Sequence, residues 1–212
     1  MINAFWLEEN TSLVKLPDGS SLYQHRQGQK ISSDNQFFND HLIERFSNQN
    51  GQVKRVLELG VGNGINVIIL KKKFPDWTIT GIEIDSEQAQ LASYNCKVQN
   101  LGIVIINEDL RDLKNEDNYD LIIANPPYIK MGSGKLSAHE RTNIAKFELT
   151  CTMEDLILAI KRNLSDAGEA WLLYKQEREE DLRENINQSN LEVIDIMKKG
   201  KIIIVGLKHV AS

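Results

Sequence analysis

The sequence predicts an α/β fold: a mostly parallel sheet with one antiparallel strand, helices on both faces and a short N-terminal extension. Three observations predict it. From residue 53 onward, short β-rich runs alternate with segments of helical period. Glycines follow the first of these runs, where the chain has to turn sharply into a helix. The last two runs are separated only by Lys198-Lys199-Gly200, a link that can make nothing but a hairpin, so that pair is antiparallel.

The elements follow in order. Residues 1–50 form the extension. In it, Leu13–Leu16 and Leu22–Gln24 read as short strands about a Pro17-Asp18-Gly19 turn. Asn35–Phe46 reads as a helix with Phe37, Phe38, Leu42, Ile43 and Phe46 on one face, broken by Asn50-Gly51. Residues 51–212 form the main domain. Val53–Leu59 is an apolar run, Gly64–Phe74 a helix stopped by Pro75, and Thr78–Ile84 a strand. Ser86–Asn100 has helical spacing through Ala89, Ala92 and Cys96, with Ser86 or Asp85 as its cap. Ile103–Ile106 and Tyr119–Ala124 are strands. Thr152–Leu164 is a helix whose Thr152 and Asp155 make a capping box, with Gly168 beyond its end. Glu169–Tyr174 is a strand, Glu177–Gln188 a charged amphipathic helix, and Leu191–Met197 with Lys201–Leu207 the closing hairpin.

Composition narrows the function classes. The 212 residues suit one domain with a short appendage, and 41% hydrophobic with 26% charged residues is a globular balance. Two cysteines, Cys96 and Cys151, exclude a disulfide scaffold and a four-cysteine zinc site. His25, His41, His139 and His209 lack ligand spacing and read as surface or local hydrogen-bonding residues, so no metal is expected. No apolar run reaches the roughly 20 residues of a membrane span, and MINAFWLEEN lacks the layout of a secretory signal, so a cytoplasmic, membrane-free setting is expected. A net charge of −5 excludes a grip on nucleic acid by bulk electrostatics, though not a nucleic-acid substrate. The clusters Lys71-Lys72-Lys73 and Lys198-Lys199 with Lys201 read as solvated surface.

In open α/β sheets, ligands bind at the carboxyl ends of the strands. VLELGVGNG places Gly60, Gly62 and Gly64 there, free to pass close to a ligand. The dinucleotide pattern GxGxxG would need a small residue where Ile65 stands, which disfavours a nicotinamide oxidoreductase. TITGIEID puts Glu83 at the next strand end, where a carboxylate can accept from both ribose hydroxyls and repel a 2′-phosphate. INEDL puts Asp109 just past the third strand.

The GxGxG spacing, with Glu58 two residues before the first glycine, resembles the S-adenosylmethionine loop of class I methyltransferases. The resemblance implies a Rossmann-like seven-stranded fold. It also implies that Glu58, Gly60, Gly62, Gly64, Glu83, Ile84, Asp109 and Leu110 hold S-adenosyl-L-methionine, with Asp109 accepting from the adenine amine.

DLIIANPPYIK is the sharpest signal. Two prolines lock φ and remove two backbone donors, making a rigid corner at Asn125-Pro126-Pro127-Tyr128. It matches the [DNS]PP[YFW] loop of methyltransferases that act on planar amino groups. Such a nitrogen is a poor nucleophile because its lone pair is delocalised. The Asn125 side-chain oxygen and the Pro126 carbonyl can accept its two hydrogens and free that lone pair, while Tyr128 offers a flat face for stacking. A base buried in folded RNA must first be turned out.

The motif is shared by enzymes that methylate adenine in DNA, adenine or guanine in RNA, and glutamine in release factors. The stretch RTNIAKFELTCTMEDLI resembles the bacterial tRNA adenine-N6 methyltransferase family that modifies a valine tRNA beside the anticodon. Ala145-Lys146-Phe147-Glu148 and Cys151-Thr152-Met153-Glu154-Asp155 stand in the places of its characteristic motifs. LPDGSSLYQHRQGQKISSDNQFF resembles that family's leading segment, with Asp34 matching an acid near the cofactor. The resemblance implies a tRNA partner and transfer to N6 of an adenine. A release-factor glutamine methyltransferase, with a protein partner, is the runner-up, and a non-catalytic S-adenosylmethionine-binding module is the reading from another class. Lys130–Phe147, polar and containing Gly132-Ser133-Gly134, predicts a mobile lid whose Lys130, Lys135, Arg141 and Lys146 meet phosphates.

Overall fold

The computed structural model describes residues 2–16, 18–26, 31–48, 53–114, 118–126 and 151–211. A two-stranded antiparallel ribbon, β1 (Thr11–Lys15) and β2 (Ser21–His25), precedes a seven-stranded sheet. Its strands are β3 (Arg55–Leu59), β4 (Thr78–Glu83), β5 (Ile103–Asn107), β6 (Tyr119–Ala124), β7 (Leu164–Lys175), β8 (Leu191–Lys199) and β9 (Ile202–His209), in the order β5-β4-β3-β6-β7-β9-β8. The helices among the described residues are α1 (Ala4–Asn10), α2 (Ser33–Ser47), α3 (Ile65–Lys73), α4 (Ser86–Val98), α5 (Met153–Asn163) and α6 (Glu179–Asn187).

Strand β9 is antiparallel to both β7 and β8, and the other neighbouring pairs are parallel. This is the expected Rossmann-like sheet with one reversed strand. The chain winds from β3 through β4 to β5 in one direction, then from β6 to β7 in the other. Right-handed crossovers therefore put α3 and α4 on one face and α5 on the other. The central strands are buried on both faces: Leu57, Ile122, Leu172 and Ile204 have no exposed surface. The reversal at β3/β6 opens a crevice at their carboxyl ends. Leu16, Leu22, Phe38, Leu42 and Phe46 from the N-terminal segment join the same apolar cluster as the sheet.

Several local features depart from the sequence reading. Helix α1 was not expected; it is capped by Asn3, whose side chain accepts from the Trp6 N–H at 2.9 Å. Helix α2 begins earlier than Asn35, because Ser32 and Asn35 form a reciprocal capping box. Of the two cap candidates for α4, it is Asp85 that caps, its Oδ1 accepting from the Glu87 and Gln88 N–H groups. Strand β7 starts at Leu164, directly from α5, so Gly168 lies inside a strand. A Cβ there would stand 2.8 Å from Leu164 Cδ1 and 2.9 Å from the Tyr119 carbonyl, so close strand approach accounts for that glycine. His41 is not a surface residue: it is buried against Trp171, ring centroids 4.5 Å apart, and burial lowers its pKa.

Trp171 fills the sheet beside Gly206, its register partner on β9. A Cβ at Gly206 would meet three Trp171 ring carbons at 2.7, 2.8 and 2.9 Å. Gly206→Ala should therefore destabilise the fold by about 1–3 kcal/mol through overpacking. A urea midpoint equal to wild type would rule this out. Among the described residues, no helix is long and apolar enough to cross a membrane.

Candidate active site

Strand β3 delivers the chain into the glycine loop. The Gly60 and Val61 N–H groups both donate to the Ile82 carbonyl at 2.9 Å, folding the loop toward β4. Gly60, Gly62 and Gly64 have φ of +76°, +56° and +86°, a region L side chains rarely adopt. A Cβ on Gly60 or Gly62 would meet nothing within 4 Å, so the loop's outer side is open. A Cβ on Gly64 would touch Ala92 at 3.5 Å, so this glycine brings α3 close to α4. Ile65, where a dinucleotide loop carries its third glycine, is buried in the core.

The carboxylates divide by position. Glu83 faces the loop: its Oε2 accepts from the Gly62 N–H at 2.9 Å and its Oε1 from the Asp85 N–H at 3.0 Å. Burial raises its pKa, partly offset by those hydrogen bonds. Asn107 donates to the Glu83 and Ile84 carbonyls at 2.8 and 3.0 Å and holds the exit of β4. Asp109 accepts from Arg111 Nε at 3.0 Å on both oxygens, and the guanidinium holds its carboxyl below the usual range. From α5, Arg162 donates to the Leu110 and Arg111 carbonyls at 3.3 and 3.1 Å, pinning this loop.

Gly60, Glu83, Ile84, Asp109 and Leu110 thus meet around one hollow, together with Ile82, Glu108 and Cys151. Nothing in the sequence marks Cys151 as a residue of the hollow. Its place in the hollow follows from the helix start at Thr152, whose capping box with Asp155 is present as expected. Glu58 lies underneath the loop, fully buried, with Oε1 accepting from Asn66 Nδ2 at 2.7 Å. Burial pushes its carboxyl up to about 8. Asp34 lies in the first turn of α2 and pairs with Lys175 at 3.7 Å, at the end of β7 and apart from the hollow.

On the other side of the crevice, the buried run Leu121–Ala124 of β6 leads into half-buried Asn125 and buried Pro126. Ala124 is in register with Leu59, so this corner stands beside the first glycine. Pro127, Tyr128, the expected lid Lys130–Phe147 with its four cations, and His139 lie outside the described residues.

The lysine clusters are largely tied into the fold. Lys71 donates to the Pro75 and Trp77 carbonyls, Lys72 to Asp18 and Lys198 to Glu179, while Lys199 stands 4.5 Å over the Phe37 ring. Among the described residues, no group of three or more His, Cys, Asp or Glu is arranged to hold a metal ion.

Known proteins match this architecture. The family model described as the methyltransferase small domain matches residues 37–205. The tRNA1(Val) (adenine(37)-N6)-methyltransferase of Porphyromonas gingivalis is 32% identical over 134 residues, covering 60% of this chain and 52% of that one. The release factor glutamine methyltransferase of Streptococcus pneumoniae is 37% identical over 91 residues, covering 42% of this chain and 32% of that one. The chain spans about half the length of the tRNA-modifying relatives it matches. Among solved structures, the Thermus thermophilus 16S rRNA N2 G1207 methyltransferase, in complex with AdoMet and guanosine, superposes with a TM-score of 0.67. The identity is 16%, over 94% of this chain and 50% of that one, a likeness of fold.

Proposed function

The chain belongs to the methyltransferase small-domain family, and from that premise we propose that it is an S-adenosylmethionine-dependent N-methyltransferase whose acceptor is N6 of an adenine in tRNA. One observation carries the reading: β6 runs into Asn125-Pro126 directly beside the glycine loop, through the Leu59–Ala124 register. An amine held at the corner and a cofactor held by the loop would therefore be neighbours.

The open outer side of Gly60 and Gly62 fits an elongated cofactor, and Glu83 keeps lone pairs for the ribose hydroxyls. Ile84 and Leu110 flank the adenine, and Asp109 accepts from its amine. Glu58 supports the loop from below, while Asp34, paired with Lys175 at the end of β7, stands apart from these cofactor contacts. When bound, the cofactor supplies an activated methyl group for a single displacement. The chain's own residues hold and orient the acceptor. The Asn125 oxygen and the Pro126 carbonyl accept the two amine hydrogens, Pro127 stiffens the corner and Tyr128 stacks on the base. A cytoplasmic setting, where tRNA is met, goes with this reading.

The release-factor relative supports a second reading, in which the same corner holds a glutamine amide. Radiolabelled methyl transfer decides between them, with unmodified total tRNA in one reaction and release-factor protein in another. Label recovered as N6-methyladenosine supports the first reading. Label in protein alone replaces it with the second, and no label in either overturns both.

The cofactor site makes its own prediction. Glu83→Ala removes the acceptor that holds the Gly62 and Asp85 N–H groups as well as the ribose partner. S-adenosylmethionine affinity should fall at least about tenfold, since two or more charge-assisted bonds are lost. Calorimetric affinity within twofold of wild type would remove Glu83 from the site.

A further inference from the structure

We infer that Asn39 and Asn95 are positioning residues for the glycine loop, through which the N-terminal segment sets the shape of the cofactor site. The inference rests on the reading of that loop as the S-adenosylmethionine site.

Two buried bridges reach the loop from the N-terminal segment. In the first, Asn39 on α2, 1% exposed, donates from Nδ2 to Asn66 Oδ1 at 2.8 Å, and Asn66 Nδ2 donates to Glu58 Oε1 at 2.7 Å. Asn66 is the second residue of α3, so α2 is tied to both the first turn of α3 and the end of β3. In the second, Asn95 on α4 has no exposed surface. Its Oδ1 accepts from the Tyr23 N–H at 2.9 Å, and its Nδ2 donates to the Tyr23 and Asn63 carbonyls at 2.8 and 2.9 Å. Tyr23 belongs to β2 and Asn63 to the loop itself.

The anchors straddle the turn. Asn63 and Asn66 bracket Gly64 and Ile65, where the chain passes through a left-handed glycine into α3. The Glu83 hold on Gly62 fixes the loop's other flank. An apolar side chain at position 39 or 95 would take these bonds from Asn66 Oδ1, or from the Tyr23 and Asn63 backbone groups. Only a polar one fixes direction, because a buried hydrogen bond is lost if the partners shift. Asn95 spends its Oδ1 and its Nδ2 donors on the N-terminal ribbon and the loop together, so ribbon and loop cannot move independently.

The test is cofactor affinity of the full chain by calorimetry, for wild type, Asn39→Ala, Asn66→Ala and the double variant, each with its fold checked by circular dichroism. Asn39→Ala should raise the S-adenosylmethionine Kd about tenfold, by more than it lowers kcat at saturating cofactor. In the Asn66→Ala background the same change should have little further effect, because Asn39 acts through Asn66; additive losses would mark a general destabilisation and overturn the inference. Should Asn39→Ala fail to fold, amide exchange in Asn39→Ser reads the same coupling. Faster exchange at Gly60–Asn66 than in the distant strand β8 supports the inference, and unchanged exchange overturns it. A wild type that binds, with single variants binding within twofold of it, overturns this inference alone. A wild type that binds no S-adenosylmethionine overturns the reading of the site and this inference with it.

Discussion

Asn125→Ala should slow methyl transfer by about 100- to 1000-fold at saturating cofactor, the loss typical when one preorganised partner of a developing charge is removed. Asn125 leaves β6 at the point where Ala124 stands level with Leu59, on the side of the crevice proposed for the acceptor. The proposed cofactor contacts come instead from the ends of β3 and β4 and the loop after β5. Cofactor Kd should therefore stay within about threefold, and the whole effect should fall on the chemical step. Asn125→Asp retains acceptor oxygens at the corner and should recover part of the rate. Single-turnover transfer with whichever acceptor takes up the radiolabel, read beside calorimetric cofactor binding, separates the two quantities. Wild-type turnover in Asn125→Ala would remove the corner from the mechanism.

The second large effect concerns stability against pH. Glu58 is fully buried, its Oε2 lacks a well-formed hydrogen bond among the described residues, and burial raises its carboxyl from 4.5 to about 8 against the opposing hydrogen bonds from Asn66 and the Val67 backbone. The folded chain keeps this proton in a range where the unfolded chain has lost it. Below the unfolded value the group is protonated in both states and contributes no pH dependence. As pH rises from 4.5 toward 8, the unfolded state is progressively favoured, and above 8 the penalty is complete. Between pH 5.5 and 8.5 wild type should lose roughly 3 kcal/mol that Glu58→Gln does not lose, at about 1.4 kcal/mol per unit. The glutamine places an unpartnered amide where Oε2 was, a cost that is the same at every pH and cancels from the comparison. Urea unfolding at the two pH values measures the difference. Parallel profiles for the two proteins would show that Glu58 does not hold a proton in the folded state.

The parallel strands from β3 to β6 were legible because their apolar runs are short, bounded and rich in β-branched residues, as in Ile103–Ile106 and Leu121–Ala124. The start of β7 was not, since Ser165-Asp166-Ala167-Gly168 has the composition of a loop and lies in the irregular stretch between the Leu164–Tyr119 and Glu169–Leu121 register pairs. Helix α1 escaped because seven residues with one buried side chain, Leu7, leave no period to read. The strand-end positions of Glu83 and Asp109 were legible because strand ends followed by acids are local signals, while Ile84 and Leu110, which line the same hollow, came with the resemblance. The burial of Glu58 was not, because LEL reads the same whether its middle residue faces ligand or core. The bridging asparagines escaped for a related reason: Asn39, Asn66 and Asn95 are polar letters on helices, and only tertiary packing turns them inward. An asparagine among apolar neighbours, as at Asn66 in INVIILKKK, is the one clue the chain carries.

The inboard place of β9 has a consequence for how the molecule is made. Strand β8 touches the sheet only through β9, which follows it in the chain. During synthesis, β8 therefore leaves the ribosome before the strand it pairs with, and β7 keeps a bare edge along Ala170–Lys175 until residues 202–207 arrive. At about 5–20 residues per second the interval is short, yet it is when the nascent chain is most open to pairing with a stranger.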